Sequence, residues 1–402
     1  MRYLMKILIT TDWYTPTVNG VVISILNLRH ELIARGHDVR VLTLSQTSRS
    51  FKRDGVTYIG SVGAGNIYPG ARIKTALFGG FVQDILNWQP DMIHSQCEFS
   101  TFFIACKIAK KLGIPIIHTY HTVYEDYTHY FSPSKKWGRF LVASLSRWVT
   151  GATACVIAPT EKVKNILNSY GIQQDIHVIP TGIDLNRFKQ SPAPERQRAI
   201  RKQLGIPEEN QILLYVGRLA KEKNLEELLQ YHANCAIENL TFLIVGDGPY
   251  RDTLERTTWA LGICDSVRFS GMIPPKEIGD YYHIGDLFVS GSVSETQGLT
   301  YIEALACGLP ALCRRDECLD GVVIDGFNGW QYENEQDYKS KLTDFLSRKE
   351  VRMRMKENAA GLAQRKFSSE VFAKKAERVY LNMLDKWVTK KKVPCPEVTS
   401  CR

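Results

Sequence analysis

No stretch of this 402-residue chain approaches the ~18 consecutive apolar residues that a membrane-spanning helix needs. The first residues lack the layout of a secretory signal, because they run straight into the strand-like KILITT at 6–11. Ten cysteines are present, but none form C-x-x-C, and Cys313 and Cys318 have no nearby histidine to complete a zinc site. Cys106, Cys155 and Cys307 lie in apolar context and read as small core residues, as expected of reduced thiols in a cytoplasmic protein. There is no G-x-G-x-x-G, so hydride chemistry on a dinucleotide loses support. There is also no D-x-D, the usual carboxylate pair for a nucleotide-bound metal, and no evident carboxylate nucleophile. The expectation is that the protein binds no metal and no cofactor.

What is present divides by charge. Residues 1–190 hold 21 Lys+Arg against 12 Asp+Glu, residues 191–350 hold 17 against 25, and residues 351–402 hold 13 against 5. A uniformly basic chain would suggest nucleic acid. Basic ends around an acidic middle suggest instead one basic face on a body of two lobes, with no nucleic-acid partner.

The length favours two domains. Short β-rich runs alternate with helical patterns, which predicts parallel sheets with crossover helices. Strands are expected near 6–11, 39–44, 91–95, 114–120, 154–158 and 177–180, then near 212–216, 241–245, 267–269, 287–290 and 310–313. Helices are expected between them, including 21–35, 72–88, 136–149, 224–236 and 299–307, with three more from 335 to 388. Residues 188–196, with Pro192 and Pro194, are the linker candidate. The expected domains are 1–190 and 191–365, both Rossmann-like and facing across a cleft, with 366–402 returning to the first.

Ligands of such sheets bind beyond the carboxyl ends of the strands, and polar motifs collect there. Residues 11–20 follow the first strand and end at Gly20, where a helix begins. Arg218 and Lys223 follow the strand at 212–216 and suit a diphosphate, although lone basic residues are usually surface solubilisers. Gly246-Asp-Gly-Pro249 ends the next strand, and taken alone is only a turn. Met272 and Ile273 follow the strand near 267–269. Two histidines, His118 and His121, with Glu125 and Asp126 beyond them, crowd one strand end. Most informative is SETQGLTYIEALACG at 294–308. Glu295 sits in its polar part, before the glycine at which an apolar helical spacing starts, and Glu303 lies within that helix. Helix N–H groups near Leu299 flanked by two carboxylates suit a ligand bearing phosphate and hydroxyls, such as a nucleotide sugar. The plainer reading is a capping Glu295 and a solvated Glu303.

This run resembles the E-x7-E motif of the retaining GT-B glycosyltransferases of family 4, and its wording is most similar to the enzymes that glucosylate diacylglycerol. The resemblance spans roughly 5 to 385. It implies an α/β GT-B fold and a UDP-sugar donor bound by Gly20, Gly246, Met272, Ile273, Glu295, Thr296, Gln297, Gly298, Leu299 and Glu303. Glu295 would hold sugar hydroxyls and Glu303 the ribose; Arg218 and Lys223, within G-R-x-x-x-E-K-N, would hold the pyrophosphate; His121 would contact the donor sugar. The implied reaction moves glucose from UDP-glucose to the free hydroxyl of diacylglycerol with retention. Other acceptors (a glycolipid, a phosphoinositide, a soluble sugar), another donor sugar, a GT-B-type nucleotide-sugar epimerase and a non-enzymatic lipid-binding scaffold stay open.

A lipid acceptor calls for a membrane face. Lys135, Lys136, Trp137, Arg139 and Trp148 mix cations with aromatics on one predicted helix, as suits an anionic headgroup boundary on the cytoplasmic side. The apolar stripe of 72–88 fits either a membrane face or a buried one. The basic stretch 386–392 repeats the cation–tryptophan chemistry.

Overall fold

The structure is a computed structural model that describes residues 4–17, 19–63, 72–74, 80–125 and 134–392; the side chains of Lys74, Lys135 and residues 390–392 are outside that description. The chain divides into two compact units, Met1–Pro180 with Phe372–Arg402, and Thr181–Val371.

Among the described residues, unit one has ten short strands: β1 Lys6–Thr10, β2 Asp38–Leu44, β3 Phe51–Arg53, β4 Val56–Ile59, β5 Ser61–Gly63, β6 Arg72–Lys74, β7 Met92–Ser95, β8 Ile116–Thr119, β9 Cys155–Ala158 and β10 Ile176–Val178. The main sheet runs β10-β9-β8-β7-β1-β2-β4-β3, parallel except for β3 against β4. Alternation along β1 explains its two buried faces. Ile7 and Ile9 pack with Ile25, Leu28 and Leu32 of the helix Gly20–Ala34, and with Phe372 and Tyr380 of the C-terminal helix Ser369–Lys392. Leu8 turns the other way, onto Val82, Ile85, Trp88 and Phe102. The C-terminal helix is also held by polar contacts: Glu377 accepts from Arg35 at 2.5 Å and pairs with His37 at 3.1 Å, and the Tyr380 hydroxyl lies 2.6 Å from His94 Nδ1.

Unit two carries β11 Gln211–Val216, β12 Leu240–Val245, β13 Val267–Gly271, β14 Leu287–Ser290, β15 Ala311–Arg314 and β16 Gly329–Tyr332 in the order β13-β12-β11-β14-β15-β16. Each pairing is parallel, and the inner strands β11, β12, β14 and β15 are buried on both faces, as crossover helices require. The chain steps outward from β11 to β13, then returns to place β14 on β11's other side. The switch point lies between β11 and β14, and the loops leaving these two strands carry Arg218, Lys223 and Glu295. In unit one the corresponding point lies between β1 and β7. Its loops carry Asp12 and the residues from Gln96 to Phe99.

Two local expectations fail. Of the predicted helix over 72–88, Arg72–Lys74 is instead a strand paired with Ser61–Gly63, and Gly80–Trp88 is helical; Val82, Ile85 and Trp88 are buried, so over Gly80–Trp88 the stripe is a core face. The proposed linker 188–196 overlaps the helices Asn186–Lys189 and Pro194–Gln203. Pro194 opens the second of these, where its missing N–H costs nothing. Trp387 is half-buried and donates to the Gly113 carbonyl at 3.0 Å, so the basic C-terminal stretch uses its tryptophan for docking within unit one.

Candidate active site

In unit two, two of the sequence-predicted residues, Lys223 and Glu295, meet at the switch point. Gly217 and Gly246, at the ends of β11 and β12, approach so closely that a Cβ on Gly246 (φ +135°) would lie 1.9 Å from the Gly217 carbonyl oxygen. No side chain fits, and the floor there is bare backbone. Lys223 ends a short 3-10 turn, Lys221–Lys223, and its Nζ lies 2.5 Å from Glu295 Oε1. Ser292 Oγ also donates to that oxygen, at 3.1 Å. Both charged groups are mostly buried. An ammonium has three N–H donors, so Lys223 can hold Glu295 and still face a phosphate. Arg218 is about half exposed and pairs with Glu222.

The helix Leu299–Ala306 starts at Gly298, whose φ of +71° and contact with the Tyr301 ring exclude a side chain. Gly298 has no side chain with which to cap this helix, and in its first turn the Tyr301 N–H bonds the Gly298 carbonyl at 3.2 Å. Glu303 is not the solvated residue of the plainer reading. Tyr282 Oη donates to its Oε2 at 2.7 Å, and burial pushes its carboxyl up to about 7, against the Tyr282 bond and the Arg187 charge. A carboxyl raised in the folded state favours folding most below its ordinary value of 4.5 and loses that contribution as pH climbs to about 7. Wild type should therefore lose up to about 3 kcal/mol relative to Glu303→Gln between pH 4.5 and 7. Denaturant unfolding of both proteins across that range checks this; parallel curves would refute it.

Gln297 sits differently from its expected role. It is buried, and its carboxamide both donates to the Thr181 carbonyl at 2.9 Å and accepts from the Thr181 N–H at 2.8 Å. Its side chain fastens the start of unit two. Thr296, Leu299 and Ile273 are half-buried, and Met272 is exposed just beyond β13.

In unit one, Gly20 opens its helix behind Asn19, which caps it by accepting from the Val22 N–H at 2.9 Å, a bond of ~1 kcal/mol. His121 follows β8, with Nε2 2.7 Å from Gln96 Oε1. Burial drives its pKa down to about 4; Glu98 opposes this and His118 reinforces it, so the ring is neutral at neutral pH. Asp12 binds the N–H groups of Ser100 and Thr101 at 3.0 and 2.7 Å, fixing the start of the helix Ser100–Leu112. Glu125 pairs with Arg139 at 3.1 Å; Asp126 lies outside the described residues.

The helix Lys135–Gly151 presents Lys136, Trp137, Arg139, Phe140, Leu141 and Trp148 at the surface; Lys135 opens it, and its side chain lies outside the described residues. Among the described residues, no helix is long and apolar enough to cross a membrane.

Sequence reasoning missed Tyr282, Gln96 and Glu98. Tyr282 stands in an ordinary Tyr-Tyr-His run, and only the packing of its helix against Glu303 distinguishes it from its neighbour.

Comparison with known proteins places this geometry. Residues 18–187 match the family model for glycosyltransferase family 4, and residues 196–361 that for glycosyl transferases group 1. The chain is 34% identical to an α-monoglucosyldiacylglycerol synthase of Streptococcus pneumoniae, over 94% of this chain and 86% of that one. The chain belongs to glycosyltransferase family 4. It is an enzyme, a hexosyltransferase. A synthase of the same name from Acholeplasma laidlawii is 32% identical over 95% of this chain and 98% of its own. Among solved structures, the Anabaena protein HepE in complex with UDP and glucose superposes with a TM-score of 0.73 at 18% identity, covering 94% of this chain and 100% of that one. With the two parallel-sheet units, that likeness gives the family 4 enzyme the GT-B fold.

Proposed function

We propose that this family 4 enzyme transfers glucose from UDP-glucose to the free hydroxyl of diacylglycerol, with retention, giving α-monoglucosyldiacylglycerol at the cytoplasmic face of a membrane. The observation that carries the reading is near-full-length similarity to two synthases of that name, combined with the paired Lys223–Glu295 and Tyr282–Glu303 contacts at the switch point of unit two. In this reading Glu303 accepts from the ribose hydroxyls, and the bare floor at Gly246 admits the nucleotide. Met272 and Ile273 flank the base, and Glu295 holds sugar hydroxyls with His121 as a further sugar contact. Thr296 to Leu299 line the donor through their backbone.

The glucose C1–O bond to the diphosphate breaks as the C1–O bond to the acceptor forms on the same face, through an oxocarbenium-like state. The acceptor's proton passes to the departing β-phosphate oxygen. Lys223 and Arg218 stabilise the charge that gathers there.

The test is incubation of the protein with labelled UDP-glucose, UDP-galactose or UDP-N-acetylglucosamine and vesicles containing dioleoylglycerol, with and without EDTA. A glucolipid of α configuration, made at more than about half the normal rate in EDTA, is expected because two cations already face the diphosphate. Activity that EDTA removes and Mg²⁺ restores would overturn the role given to Arg218 and Lys223. A product on a soluble sugar, or none with lipid, would overturn the acceptor.

A further inference from the structure

The loops leaving β7 and β8 carry a buried charge that the transfer chemistry leaves without a task. Glu98 is 4% exposed, and a carboxylate taken out of water is costly unless donors hold it. Tyr124 Oη donates to its Oε2 at 2.6 Å, and His118 Nε2 lies 3.3 Å from its Oε1. The Tyr124 proton points at Glu98, so the phenol oxygen keeps its lone pairs for an incoming hydroxyl, and the bond it donates strengthens it as an acceptor.

This polar pair borders an apolar strip. The Tyr124 ring meets Phe99 edge-on, with centroids 6.0 Å apart, and Phe99 is 46% exposed. Phe103, one turn along, is 47% exposed and lies 5.0 Å from the ring of Trp148, itself 46% exposed. Leu141, Phe140 and Trp137 continue the exposed face on the helix of Trp148. A gathering of exposed aromatic and aliphatic side chains marks a binding surface. Here it leads to a hydroxyl acceptor, so the ligand that fits both is an amphiphile with a free hydroxyl at one end and hydrocarbon beyond.

We propose, resting on the lipid-acceptor reading, that Tyr124, positioned by Glu98, receives the acceptor's hydroxyl while Phe99, Phe103 and Trp148 carry its hydrocarbon. The test is initial-rate kinetics with UDP-glucose and diacylglycerol in mixed micelles, for wild type, Tyr124→Phe and the exposed double variant Phe99→Ser/Phe103→Ser. Tyr124→Phe should raise KM for dioleoylglycerol about 5- to 10-fold, as expected for one lost hydrogen bond, with KM for UDP-glucose within about twofold of wild type. The double variant should raise KM for dioleoylglycerol several-fold more than for dihexanoylglycerol. An unchanged lipid KM in either variant overturns the site, and so does a parallel rise in both KM values, which marks a structural defect. Wild type that glucosylates no diacylglycerol overturns the lipid reading and this site with it.

Discussion

Glu295→Gln is expected to lower the rate of transfer at saturating substrates by about 10²- to 10³-fold while UDP affinity stays within about threefold of wild type. Glu295 is held by Lys223 at 2.5 Å and Ser292 at 3.1 Å, which fixes the direction of its remaining lone pairs. A carboxylate accepting from sugar hydroxyls counts most when positive charge develops on the ring. The amide keeps the shape, but removes the charge and turns an N–H₂ toward one of the groups that donated before. It also leaves Lys223 without its counter-ion. Initial rates with isothermal titration of UDP check both halves of the expectation. A variant turning over like wild type would remove Glu295 from the site, and one that lost UDP would assign it to the nucleotide.

The second large effect is expected at the surface. Replacing Lys135, Lys136 and Arg139 by Glu should weaken sedimentation with anionic vesicles by at least about 10²-fold, since each cation near such a surface is worth ~1 kcal/mol. Trp137 and Phe140, exposed on the same helix, supply the apolar component that a charge change leaves in place. Binding should rise with anionic lipid and fall with salt, because the field is screened over ~8 Å at physiological ionic strength. UDP affinity should not change, since the nucleotide is assigned to the other unit. Equal sedimentation of wild type and triple variant would rule out the helix as the docking element and move the acceptor toward a soluble one.

Much of this was legible in the sequence, for a physical reason. Strands buried on both faces must be continuous apolar runs, so β11, β12 and β14 announce themselves, and a parallel sheet then dictates that the loops after them hold the ligand groups. Glu295 and Glu303 are singled out by one motif and Lys223 by the pattern that follows β11, and Lys223 and Glu295 come together in the fold. What stayed hidden depends on side chains brought together from afar. Gln297 reads as a site residue, yet both ends of its carboxamide hold Thr181, 116 positions away in sequence. Glu98 reads as one acid among many, and only its burial against His118 and Tyr124 sets it apart. The edge strand β3 and the β5–β6 pair are only three residues per strand and partly exposed, so no apolar run marks them.

The placement of the last helix also bears on how the molecule is made. Phe372, Ala376, Tyr380 and Met383 complete the core that Ile7 and Ile9 begin, and Glu377 answers Arg35 and His37. During synthesis the first part of unit one leaves the ribosome with that side of its sheet covered only by the helix Gly20–Ala34, because the rest of the cover follows unit two in the chain. Unit two, contiguous in sequence, has every residue it needs before that happens. The second unit to emerge is thus the first able to finish folding, and unit one completes its core only after the helix Ser369–Lys392 has followed.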